Sequence, residues 1–396
     1  MLGAIIGDIV GSRWEFNPTN DYNFEWLSPA NSYTDDTICT VAVADALLHD
    51  RDFGESIHDW CNRYRHPMGG YGGRFAQWVA SNEPKPYGSF GNGAAMRVSP
   101  VAYWYEDKNQ MLKAAEATAA CSHNHREGIK GAQTVAVAIH TALELRESNG
   151  EIDEFGIDYI LRRCTAFSNY DIEIDKADVI NKFDETCQGT VPVALWIIGE
   201  STSFEDAVRK AVSLGADADT LGAIVGSIAE AIWGIPKEFI DEIMQLLPAD
   251  MKRVLLQFYR KCGRMGMMSG YGIKAEKDDI LLFADKYLTF FRDEFGKTPE
   301  SYYRFFDNEK FPEECRTLGF EMDCGHSFAE AYGAAWNDVE ILRRTIEKVS
   351  DINIIGSGLF SQWRYFNHWS SPSHADADTK EWFILLFERL KVLCKK

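Results

Sequence analysis

No stretch of the chain approaches the roughly 20 consecutive apolar residues that a bilayer-spanning helix requires, which excludes a helical membrane protein. Cys-x-x-Cys pairs are also missing. The nine cysteines are scattered without any zinc-ligand spacing, so a zinc module is excluded as well. An odd cysteine count without an export signal fits reduced thiols in the cytosol. The opening residues Met1-Leu2-Gly3-Ala4-Ile5-Ile6-Gly7-Asp8 are apolar only briefly and lack the basic segment of a signal peptide. The expectation is therefore a cytoplasmic protein. Positive charge is scarce too, with 41 Lys and Arg against 60 Asp and Glu and a net charge of −19. That balance argues against nucleic acid as the main partner, because phosphate attraction needs a basic footprint. The acidity is read as serving solubility.

Convincing strand alternation is the next absence. A length of 396 residues suggests two or three cores, and the periodicity predicts them to be helical. Apolar or alanine faces recur at helical spacing over residues 108–121, 127–145 and 204–214, with Ser203 and Asp206 forming a capping-box-like start. Gly215 and Gly234-Ile235-Pro236 read as helix ends, which puts residues 215–220 in a turn between two helices. Periodicity fails over residues 262–272, where four glycines indicate a linker. The predicted fold is all-α, with a compact helical globule at 1–265 and a smaller, mainly helical domain at 275–396. Helices are expected there at 278–295, 327–349 and 378–393. The aromatic-rich stretch from Leu359 to Trp369 between the last two is read as core.

Two acidic patches stand out against this background, Thr34-Asp35-Asp36 and Asp217-Ala218-Asp219-Thr220. Carboxylates and hydroxyls in this density suit a hard divalent cation, and two such ions about 3.5–4 Å apart can share a bridging carboxylate. Each patch also precedes an apolar helical run, so each taken singly reads as a helix cap. A cap needs one side-chain oxygen, whereas each patch brings two carboxylates and a hydroxyl. Crowding those charges is costly without a cation, and together the patches are read as metal ligands. A third segment, Gly88 to Gly93, has small residues that let backbone N–H groups approach phosphate, with Ser89 adding a hydroxyl. On its own such a glycine cluster would mean only a turn.

Several motifs in one order give residues 1 to about 260 a resemblance to the ADP-ribosylglycohydrolase family. They are Gly3-Ala4-Ile5-Ile6-Gly7-Asp8 followed by Glu15, Tyr33-Thr34-Asp35-Asp36-Thr37, Gly88 to Arg97, Ser122-His123-Asn124-His125, and Gly215 to Thr220. The resemblance implies an all-α globule with two Mg2+ or Mn2+ ions held by Thr34, Asp35, Asp36, Asp217, Asp219 and Thr220. Asp219 is the expected bridge, and Asp35, Asp219 and Glu15 are the expected catalytic residues. Glu15 corresponds to the acid that closes over the metals and meets the ribose or the attacking water. Ser89, Phe90, Gly91 and Asn92 would hold the diphosphate and nearby ribose, with His123 on the same wall, while His125 is read as structural. The implied activity is hydrolysis of the glycosidic bond between ADP-ribose and an acceptor. The alternative is a non-catalytic ADP-ribose-binding or structural member, which loss of ligand residues would signal, but every ligand position and Glu15 are present. Two departures from the pattern are Ala216 for a glycine and Arg126 for a proline; Arg126 either meets an acidic group of the substrate or points to solvent. The C-terminal domain is expected to bind a protein partner or to shape acceptor specificity.

Overall fold

The N-terminal two thirds of the chain is built around a pair of helices that touch backbone to backbone. In the computed structural model, which describes residues 1–262, 277–306, 310–318, 320, 339–350, 352–366 and 375–395, the chain divides into two compact units, Met1–Cys262 and Gly263–Lys396. The first unit carries helices α1 (Leu2–Gly11), α2 (Asp35–His49), α3 (Phe53–Arg63), α4 (Gly73–Ala80), α5 (Gly93–Met96), α6 (Ser99–Trp104), α7 (Lys108–Ala120) and α8 (Arg126–Asn149). They are followed by α9 (Glu154–Ser168), α10 (Lys176–Val179), α11 (Cys187–Gly199), α12 (Phe204–Val212), α13 (Ala218–Trp233), α14 (Lys237–Leu246) and α15 (Ala249–Lys261). No sheet forms among the described residues; one isolated antiparallel bridge joins Gly91 to Thr186. The fold is all-α, and no helix of the described residues is long and apolar enough to cross a membrane.

All ten residues of α1 are buried, and it packs on α13 through small residues. A Cβ on Gly7 would lie 1.9 Å from the Gly222 carbonyl oxygen, and one on Gly3 would lie 2.2 Å from that of Gly226. Only glycine permits this approach. The N–H groups of the first turn of α1, which have no partner within the helix, find partners in the core. Glu230 Oε2 accepts from the Met1 amine at 2.5 Å and from Gly3 N–H at 2.8 Å, while the Tyr259 hydroxyl accepts from Leu2 N–H at 2.7 Å. The Tyr259 hydroxyl itself donates to Glu230. Helix start, carboxylate and phenol thus satisfy one another.

Local capping explains most of the other boundaries. Thr34, Asp52, Asp107, His125, Asp153, Thr186 and Ser203 each accept a backbone N–H of the helix they precede. Gly215, at φ +72, lets the chain reverse between α12 and α13, a backbone conformation that an L-residue resists. The neighbouring Ala216 has no such requirement, so the methyl it adds is tolerated.

The second unit has its own aromatic core, in which Phe283, Tyr287, Phe291, Phe305, Phe311 and Phe383 pack together. Its helices include Lys277–Asp293, Val339–Thr345, Ile352–Arg364 and Ala377–Cys394. Leu359, Phe360, Trp363 and Phe366 are buried in that core, as expected of the aromatic stretch; residues 367–369 lie outside the described residues. So do residues 263–272 of the expected linker and 327–338 of the expected central helix.

Candidate active site

Asp8 organises the first acidic patch from beneath. It is a fully buried carboxylate on α1, where an unsatisfied charge would be severely costly. It is satisfied by four donors from one turn: Thr34 N–H at 3.0 Å, Thr34 Oγ1 at 2.8 Å, Thr37 N–H at 3.0 Å and Thr37 Oγ1 at 2.5 Å. Thr34 Oγ1 meanwhile accepts from Asp36 N–H at 3.2 Å, so Thr34 does cap α2. Asp35 and Asp36 then fall in the first helical turn, Asp36 buried and Asp35 half-buried.

The second patch arrives on α13, which the glycine contacts hold against α1. Asp217 occupies the cap position but makes no capping bond; instead its Oδ2 accepts from Asn92 Nδ2 at 2.7 Å. Asn92 also donates to Thr190 Oγ1 at 3.1 Å, which fixes its amide. Thr220 Oγ1 reaches across 184 residues of sequence to Asp36 Oδ2 at 3.3 Å. Glu15, just after the 3-10 turn Ser12–Trp14, joins Asp217 and Asp219, and carboxylate oxygens of the three lie within 4.8 Å of one another. A loop passes over Glu15 at Gly69, where a Cβ would come 2.5 Å from Glu15 Oε2.

Six carboxylates therefore share one partly buried space, and no Lys, Arg or His among the described residues forms an ion pair with Asp8, Glu15, Asp35, Asp36, Asp217 or Asp219. Burial is the first cause of their shifts. It pushes Asp8 and Asp217 up to about 6, and burial followed by neighbouring carboxylates pushes Glu15 up to about 7 and Asp35 up to about 8. Asp36 and Asp219 are raised well above the ordinary carboxylate range for the same reasons. Asp36 Oδ1 is buried with no hydrogen-bond partner. An orphaned carboxylate oxygen beside unpaired acids fits a bound cation, and an all-oxygen donor set suits Mg2+ or Mn2+.

The glycine-rich segment lies beside this cluster, linked to it by Asn92. Much of its backbone is already engaged: Gly88 N–H donates to Asn124 Oδ1 at 2.7 Å, Gly91 N–H to Ser89 Oγ at 3.1 Å and Asn92 N–H to the Glu185 carbonyl at 2.7 Å. The amides of Ser89 and Phe90 make no hydrogen bond to any described residue and remain as donors for an anion. His123 stands behind the loop, its Nε2 3.4 Å from where a Cβ on Gly91 would be. The Phe90 ring is 41% exposed and meets the His125 ring edge-on, with centroids 5.3 Å apart. His125 caps α8 by accepting from Glu127 N–H, which fits its structural reading. Arg126 points outward, with its side chain 88% exposed.

The expected site residues thus gather in two adjoining groups, the oxygen cluster and the glycine loop. Asp8, Arg97 and Ser122 stood in the motifs without an assigned role, and Thr190 was not singled out from the sequence. A lone Asp among Ile5, Ile6 and Ile9 on a helix was the available signal for Asp8, since such a group needs partners. Nothing local marked Thr190.

A family profile described as ADP-ribosylglycohydrolase matches residues 1–266. The chain is 25% identical to the ADP-ribosylhydrolase ARH3 of Xenopus tropicalis, over 59% of this chain and 86% of that protein. It is 25% identical to the ADP-ribosylarginine hydrolase Tri1 of Pseudomonas putida (strain GB-1), over 61% of this chain and 72% of the relative. A solved structure titled "ADP-ribosylglycohydrolase-related protein complex" superposes with a TM-score of 0.52 at 25% identity, covering 66% of this chain and 95% of the other.

Proposed function

Because the chain belongs to the ADP-ribosylglycohydrolase family, we propose that it is a metal-dependent hydrolase that cleaves the glycosidic bond between ADP-ribose and an acceptor, reversing ADP-ribosylation. The observation that carries the metal dependence is the meeting of two acidic helix starts and Glu15 around one space, with Asp36 Oδ1 buried and unpartnered. Thr34, Asp35, Asp36, Asp217, Asp219 and Thr220 would hold a pair of Mg2+ or Mn2+ ions. When bound, such ions supply Lewis acidity toward ribose hydroxyls and water.

The chain's own residues supply the rest. Free amides at Ser89 and Phe90, with the Ser89 hydroxyl, bind the diphosphate, so binding energy far from the reacting bond fixes the anomeric carbon in place. Asn92 holds the Asp217 carboxylate in one orientation while contributing to the ribose-side wall. Glu15 is half-buried with its carboxylate beside Asp217 and Asp219, where it would accept a proton from the attacking water. Residues 1–265 form the catalytic region in this proposal, and residues 275–396 shape acceptor choice or bind a partner.

The test is release of ADP-ribose from peptides modified on arginine and on serine, with Mg2+ and with EDTA. Asp35→Ala and Asp219→Ala are expected to abolish turnover while retaining the helical circular dichroism spectrum, and EDTA to do the same to the unaltered protein. Full activity in either variant would remove the two-metal assignment; no turnover on any modified acceptor would favour a binding role.

A further inference from the structure

Arg97 is fully buried at the end of α5 and forms no ion pair with a described residue. Its Nε and Nη2 donate to the Thr118 carbonyl at 3.3 and 2.8 Å, and Nη2 also donates to Ser122 Oγ at 2.7 Å. The guanidinium lies over the Phe75 ring at 5.7 Å. Ser122 Oγ in turn lies 2.8 Å from His123 Nδ1. A guanidinium cannot accept a hydrogen bond. Toward Arg97 the serine oxygen is therefore the acceptor; its single hydrogen has no other acceptor among the described residues, and an Nδ1–H donating to the same oxygen would leave that buried hydrogen unpaired, so the hydrogen goes to Nδ1.

The tautomer follows from that direction. A neutral imidazole that accepts at Nδ1 carries its hydrogen on Nε2. Nε2 makes no hydrogen bond to any described residue. It faces the glycine loop, where a Cβ on Gly91 or Gly93 would stand only 3.4 or 3.2 Å away. Two glycines thus let the loop backbone lie close against that nitrogen without a side chain covering it. The ring is buried between Phe75 and Tyr87, and the charged groups facing it are Arg97 and Arg74. Burial first, then those two charges, hold it well below the usual imidazole range.

We propose that Arg97 and Ser122 are positioning residues that lock His123 as the neutral Nε2–H tautomer, making it a fixed hydrogen-bond donor to a diphosphate oxygen at the glycine loop. The identity of that anion rests on the function proposed above; the tautomer does not. His123 then contributes no proton to the leaving group and no positive charge to the site. An uncharged donor adds directional binding.

The experiment uses the full-length protein labelled with 15N-histidine, observed by long-range proton–nitrogen correlation and titrated with ADP-ribose and, separately, with pyrophosphate. The expected His123 pattern is a protonated Nε2 and an unprotonated, hydrogen-bonded Nδ1, with either anion moving the Nε2 resonance. Ser122→Ala deletes only the hydroxyl; it is expected to shift the Nδ1 resonance and to weaken ADP-ribose binding by about three- to tenfold, a share of one charge-assisted hydrogen bond. His123→Gln, which keeps an N–H donor, should bind more tightly than His123→Ala. A protonated Nδ1 in the unaltered protein, an Nε2 signal indifferent to both anions, or a Ser122→Ala variant unchanged in resonance and affinity would each overturn the proposal. A response to pyrophosphate but not to ADP-ribose would leave it standing and overturn the function instead.

Discussion

Raising the pH from 7 to 8.5 in the presence of a chelator should destabilise the metal-free protein, and Mg2+ should abolish most of that loss. In the fold, Glu15 sits at about 7 and Asp35 at about 8, against 4.5 and 3.8 for the same groups unperturbed, and burial raises Asp36 and Asp219 well above the ordinary carboxylate range. By pH 7 an unfolded chain has released all of these protons, while the folded one retains some of them. Stability from such groups is fully present below the unfolded values and is lost as the pH rises through the folded ones. Each retained proton changes stability by about 1.4 kcal/mol per pH unit. For a unit of this size that is roughly 3–6 °C in Tm per pH unit and proton.

The choice of window matters, because His123 acts with the opposite sign. Its folded value lies well below 6.5, so its neutral burial costs stability only where the unfolded imidazole, at about 6.5, still binds a proton. Above pH 7 that contribution has levelled off and the carboxylates dominate. A cation that occupies the cluster displaces the protons, so the Tm rise produced by saturating Mg2+ should be larger at pH 8.5 than at pH 7. Thermal melts at the two pH values, each with EDTA and with Mg2+, supply all four numbers. A chelated Tm that stays level or rises toward pH 8.5, or a Mg2+ increment independent of pH, would refute the shared-cluster reasoning.

Three further outcomes follow from individual contacts. Asp36→Asn removes one buried charge from the cluster, so its Tm in EDTA at pH 8.5 should exceed that of the unaltered protein while its response to Mg2+ is lost; a structural carboxylate would give the reverse. Gly7→Val places a branched side chain where even a Cβ would lie 1.9 Å from a backbone oxygen, and a melt should register a loss of about 3 kcal/mol or more. Arg126→Ala should leave turnover within about twofold, as expected of a surface substitution, because the side chain is 88% exposed.

Local signals in the sequence carried the helices well. The predicted start at Ser203 and the turn at Gly215 appear where expected, since each depends on a side chain or a φ angle within a few residues. Residues 108–121 and 204–214 were predicted about one to two residues too long, because Cys121 and Ser213 are C-caps that turn the chain out of each helix. What could not be read locally was contact between distant segments. The glycines at 3 and 7 looked like part of a motif, yet their physical use is the close crossing with Gly226 and Gly222, more than 200 residues on. The glycine loop was expected to offer its backbone amides broadly to phosphate. Gly88, Gly91 and Asn92 instead give theirs to Asn124, Ser89 and Glu185, because the loop's own turn and its contacts with the segments before α8 and α11 already use those donors.

Capping and metal binding were posed as rival accounts of the acidic patches, and the geometry separates them patch by patch. Thr34 does both jobs that its hydroxyl permits, accepting from Asp36 N–H and donating to Asp8, so its helix is capped by a residue already tied to the cluster. Asp217 holds the cap position and does not cap. A carboxylate that forgoes its nearest backbone donors for Asn92, beside Asp219 and Glu15, is stabilised for a purpose other than starting α13. The crossing of α1 and α13 then decides the rest. Any side chain at Gly7 or Gly222 would move the two helix starts apart, and with them Asp36 from Thr220 and Asp8 from the turn it holds. The small residues of the helix pair are thus as necessary to the site as its acids.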